Sequence, residues 1–130
     1  MYAPVIESAH TKKRYKFGRY EAAFLDQIVA EGPIGYEFIV AVFEESTTDP
    51  FLFVTSERND PGAGLEIFRE LGLEQDMAPV AQGESHFLCV FDEHGHRNLG
   101  DSNDWGDAEK FETAALKILT ERLGGTPVLA

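Results

Sequence analysis

The chain has a single cysteine, Cys89, so no disulfide can form within it. That fits a reducing compartment and excludes a disulfide-stapled secreted scaffold. No apolar run approaches the roughly 20 residues a membrane-spanning helix needs. Residues 1–10 lack the apolar core of about 7–15 residues that marks a secretory signal. A cytoplasmic location is the expectation. Positive charge is scarce, with 11 Lys and Arg against 23 Asp and Glu and a net charge of −12.

The bases that are present sit together. Residues 1–20 hold Lys12, Lys13, Arg14, Lys16 and Arg19 against Glu7 alone, whereas residues 21–130 hold six bases against 22 acids. A body so acidic repels phosphate backbones and anionic lipid, so no nucleic-acid or membrane partner is expected. A basic protein partner is the electrostatic complement. The Lys12–Tyr20 run interleaves bases with aromatics, a pattern that can bind single-stranded nucleic acid. Neutralisation against the acidic body accounts for it more simply.

At 130 residues with 43% hydrophobic content, the chain suits one globular domain over residues 1–130. Residues 1–12 read as a loosely ordered arm, because no periodic apolar pattern runs through them. Alternating apolar segments predict strands at Tyr20–Val29, Tyr36–Glu44, Phe51–Glu57 and Ser85–Phe91, with a short fifth at Arg97–Leu99. Between the third and fourth, Asp60, Pro61 and Gly72 punctuate a short helix carrying Leu65, Phe68 and Leu71. A long C-terminal helix from Trp105 to Leu123 carries Phe111, Ala115, Ile118 and Leu119 on one stripe, with Asp104 as its cap. The expected fold is α+β: an antiparallel sheet of four or five strands with the long helix across one face, a two-layer sandwich. Several strands are apolar on both sides, which predicts a homo-oligomer that buries the second face.

Chemistry-bearing residues form two candidate groups. Asp92, His94 and His96 share strand parity and offer metal ligands, against a plain hairpin turn as the alternative. Glu57, Arg58 and His86 offer a polar small-molecule or acid–base site if the third and fourth strands pair. Asp101–Glu112 partly matches a calcium loop, but Trp105 stands where an oxygen ligand belongs. The glycines of Asp60–Gly64 lack the nucleotide-loop pattern. Cys89 reads as a buried, inert thiol. No cofactor is implied. The sequence favours a non-enzymatic interaction or regulatory domain that self-associates, with a divalent-metal protein or a small-molecule binder as alternatives.

Overall fold

A computed structural model describes residues 4–32, 34–58 and 86–130. The class is α+β, an open antiparallel sheet with one C-terminal helix packed against it. The strands are β1 (Ile6–Phe17), β2 (Tyr20–Ala30), β3 (Tyr36–Glu44), β4 (Leu52–Arg58), β5 (His86–Asp92), β6 (Gly95–Ser102) and β7 (Val128–Leu129). Six of them follow one another as a meander, and β7 adds outside β1, giving the order β6-β5-β4-β3-β2-β1-β7.

The turns explain the meander. Gly18, at φ +58°, supplies the left-handed residue in the two-residue loop between Phe17 and its partner Tyr20. The two-residue loop Glu93–His94 joins Asp92 to its partner Gly95, and there Gly95 itself takes the positive φ, +111°. After β6, a 3-10 turn (Asn103–Gly106) leads into helix α1 (Ala108–Leu123). Asp107, not Asp104, caps α1, its side chain accepting from the Lys110 N–H at 3.0 Å. Trp105 therefore sits in the 3-10 turn and not in the helix.

Strand alternation sorts the core into two clusters. Phe17, Phe24, Phe38, Val40, Val42, Val54 and Val90 meet Phe111, Ala115 and Leu119 of α1. Phe111 is fully buried, stacked on Phe38 at 5.4 Å and edge-on to Phe24 at 5.8 Å. Burial of one such side chain stabilises the domain by roughly 2–3 kcal/mol. On the other face Tyr36, Ile39, Ala41, Phe53, Cys89 and Phe91 form a second cluster, joined by Ile6, Leu25 and Ile28 from β1 and β2. Ile39, Cys89 and Phe91 are fully buried within a single chain. The apolar second face therefore does not by itself require another copy.

Three sequence expectations change. Among the described residues the sheet has seven strands rather than four or five. Residues 6–12, expected as a loose arm, belong to β1; they escaped notice because β1 is exposed from Glu7 to Arg14 and only Tyr15 and Phe17 at its end are buried. An exposed edge strand has no buried face to impose an apolar alternation. The helix starts at Ala108 instead of Trp105. The short helix expected after Asp60 and the Asp60–Gly64 turn lie outside the described residues.

Ion pairs hold the basic N-terminal strand to the acidic body. Lys13 Nζ lies 3.1 Å from Glu112 of α1, and Lys16 Nζ lies 3.7 Å from Glu45. Tyr15 donates its hydroxyl to Glu112 at 2.5 Å. His10 Nδ1 is 2.6 Å from Asp26 Oδ1.

Candidate metal centre

The two candidate groups read from the sequence are each divided by the sheet. Asp92 closes β5 on the helix face. Its carboxylate meets Arg122 of α1 at 2.6 Å, Arg97 of β6 at 3.0 Å and the His94 N–H at 2.8 Å. The Arg122 hydrogen bond foremost, aided by those of His94 and Arg97 and opposed by burial, holds its carboxyl down at about 2. His94 lies in the turn, its side chain 76% exposed and beside Glu93. His96 pairs across the ladder with Phe91 and shares that residue's face. Strand parity groups side chains only along one strand. The turn restarts the count, so Asp92, His94 and His96 do not converge.

The second group divides for a simpler reason. Arg58 and His86 are cross-strand partners, and Glu37 is their acid, at 2.7 Å from Arg58 Nε and 3.9 Å from His86 Nε2. The His86 ring also lies against Gly106, where a Cβ would stand 2.8 Å from its Cε1. Glu57, next in the chain to Arg58, points to the opposite face, as successive strand residues must.

What the fold does assemble is one residue from each group with a third that sequence reasoning had set aside. Glu57 of β4, Cys89 of β5 and His96 of β6 meet on the second face, with ligand atoms all within 4.8 Å of one another. The register explains the meeting. Thr55 faces Cys89, Glu57 faces Phe87, and Phe91 faces His96, so Glu57 and His96 reach the central Cys89 along two diagonals. Diagonal neighbours in a sheet lie within reach of longer side chains. The His96 ring stacks on Phe91, with centroids 4.4 Å apart and planes 24° from parallel, which fixes its orientation.

The electrostatics mark the group as unusual. Glu57 is 7% exposed and Cys89 wholly buried, while the His96 side chain is 35% exposed and opens the group to one side. His96 Nε2 lies 3.3 Å from Glu57 Oε1. That contact is not aligned as a hydrogen bond, and both Glu57 Oε1 and Thr55 Oγ1 are buried without one. Burial pushes the Glu57 carboxyl above its ordinary range; His96 opposes this by its charge, and Cys89, His96 and Thr55 oppose it as polar contacts. Burial, and after it the charge and polar contact of Glu57, push the Cys89 thiol up to about 12. Buried polar atoms without partners are rare in folded proteins and call for an explanation.

A thiolate, an imidazole and a carboxylate form a zinc-type donor set. Tetrahedral bonds of about 2.0–2.3 Å would hold such atoms roughly 3.3–3.8 Å apart. The three ligand atoms, all within 4.8 Å of one another, stand near that spacing. The sequence held one signal for this group. Glu57 and Cys89 continue the parity of Phe53 and Phe91, placing a carboxylate and a thiol on an apolar face. Joining them to His96 needed the strand register.

The chain matches no family model, no curated protein and no solved structure.

Proposed function

We propose that this chain is a non-enzymatic, metal-responsive regulatory domain in which Glu57, Cys89 and His96 hold one zinc-class ion. The observation that carries the reading is the convergence of these three donors around Glu57 Oε1 and Thr55 Oγ1, buried atoms left without an aligned hydrogen bond. An ion at their centre relieves that frustration. It gives Glu57 a positive partner and converts the Cys89 thiol to thiolate. Three protein ligands leave a fourth position for water, which Thr55 Oγ1 can hydrogen-bond.

The ion also acts on structure. It links three adjacent strands, and β6, the outermost among the described residues, is exposed from His96 to Asp101. Bound metal pins that edge to β5 and β4, and lost metal frees it. Occupancy is thereby coupled to the surface a partner meets, which joins the metal reading to the interaction reading. Folding and metal binding share their free energy in such domains.

Cobalt(II) titration of the metal-free protein tests this. A thiolate-to-cobalt absorption band should grow to saturation at one ion per chain and vanish on adding zinc. Cys89→Ala should abolish the band, and His96→Ala should weaken binding by tenfold or more. Absence of the band in the unmodified protein, or its persistence in Cys89→Ala, contradicts the assignment.

A further inference from the structure

The other end of the sheet carries a surface independent of the metal centre. β1 is paired with β2 along its length, from Ile6 to Phe17. On its outer side, among the described residues, only Tyr15 and Lys16 have strand partners, Leu129 and Val128 of β7. The Ala130 N–H then donates to the Arg14 carbonyl at 2.9 Å. From Ile6 to Lys13 no described strand continues the ladder on that side. A groove of about 460 Å³ lined by Thr11, Lys12, Lys13, Arg14, Leu129 and Ala130 continues the line of β7.

An open strand edge is a template for another strand, through backbone groups that any sequence possesses. The side chains decide which sequence. Lys12, Lys13 and Arg14 are exposed along this edge. Lys13 already has Glu112 as an ion partner, and Lys12 lies over the Phe24 ring at 5.8 Å. These bases deter a second copy of the same edge, because antiparallel self-pairing brings Lys and Arg against Lys and Arg. They suit an incoming strand of the opposite sign. The acidic body acts against such a partner at long range. Screening over about 10 Å at 0.1 M salt leaves the local basic strip to decide binding on contact.

We propose that the outer edge of β1, from Ile6 to Lys13, accepts an extended acidic protein segment as an added strand, collinear with β7 and antiparallel to β1. β7 is the precedent within the molecule, since it pairs with the adjoining part of the same edge in the same sense. The partner's chemistry is therefore the reverse of the basic partner that net charge alone suggests.

The test uses the whole chain labelled with nitrogen-15 and four probes. These are a short alternating Glu-Val peptide, its Lys-Val counterpart, a Glu-Val peptide interrupted by prolines, and oligothymidylate. The Glu-Val peptide should shift amide signals of residues 6–14 and 128–130, and its affinity should fall about tenfold between roughly 0.05 M and 0.5 M salt. The proline-interrupted peptide should bind at least tenfold more weakly, because it cannot complete the ladder. Lys12→Glu with Arg14→Glu, which spares the Lys13–Glu112 pair, should reverse the preference toward Lys-Val. Equal binding of the proline-interrupted peptide, binding of oligothymidylate at the same amides, or no shift with Glu-Val would each overturn the proposal. None of these outcomes depends on whether Glu57, Cys89 and His96 bind metal.

Discussion

Asp92→Asn is the sharpest test of how the hairpin between β5 and β6 is fastened to the helix. The substitution preserves size and removes one charge. In the native fold that charge sits between Arg122 at 2.6 Å and Arg97 at 3.0 Å, with the carboxylate side chain only 8% exposed. Without it two guanidinium groups face each other across a neutral amide. Breaking a buried pair costs about 3–5 kcal/mol. Here Arg122 is 33% and Arg97 56% exposed, so both can turn toward water. The expected loss is therefore about 2–3 kcal/mol, against a total stability of about 5–15 kcal/mol for a typical domain. Urea unfolding at constant ionic strength measures it. The pH dependence supplies the check. Because the folded pKa is lowered from 3.8 to about 2, the Asp92 contribution is complete well above pH 3.8 and is lost as pH falls toward 2. The gap between the two proteins should hold from pH 7 to pH 5 and narrow below pH 4. A gap under about 0.5 kcal/mol at pH 7, or one that widens in acid, would refute the role given to this carboxylate.

Other expectations follow from the same contacts. Zinc affinity should rise about tenfold per pH unit between pH 6 and pH 8, since the Cys89 thiol, pushed up to about 12, must release its proton to bind; competition against a chelator of known pH response measures this, and a flat profile contradicts it. Metal-free protein should lose stability as pH rises through the elevated pKa of Glu57, because a carboxyl raised on folding favours its neutral form, and zinc should suppress that loss in melting curves. Gly106→Ala should lower the melting temperature by several degrees and disturb His86, whose ring stands where the new Cβ would go. An unshifted His86 imidazole signal in that variant would contradict the packing.

The legible part of the fold was the part with a buried face. β2 through β5 and α1 announced themselves because one or both of their faces are apolar at the period of their structure. β1 was illegible because Glu7 to Arg14 are all exposed. It is held by backbone pairing to β2 and by ion pairs such as Lys13–Glu112, neither of which leaves a periodic trace. β6 was only partly legible, since Gly100 and the extra residue Leu99 break its alternation opposite Leu88 and Cys89. The site was legible in its members and not in its grouping. Glu57 and His96 both stand out in the sequence, each grouped there with residues that the strand register places elsewhere. Nearness in sequence suggests those groupings, whereas strand pairing decides which side chains meet. The apolar setting of Cys89 reads as that of an inert thiol, and the strand register sets it between a carboxylate and an imidazole.

In the proposed centre Glu57, Cys89 and His96, and not Asp92 and His94, hold the metal ion. Native mass spectrometry tests it most directly. The protein would be stripped with chelator, given one equivalent of zinc and desalted. One zinc per chain should be gained by the unmodified protein and by His94→Ala, and none by Cys89→Ala. Equal zinc uptake by Cys89→Ala, or uptake lost in His94→Ala, would contradict it.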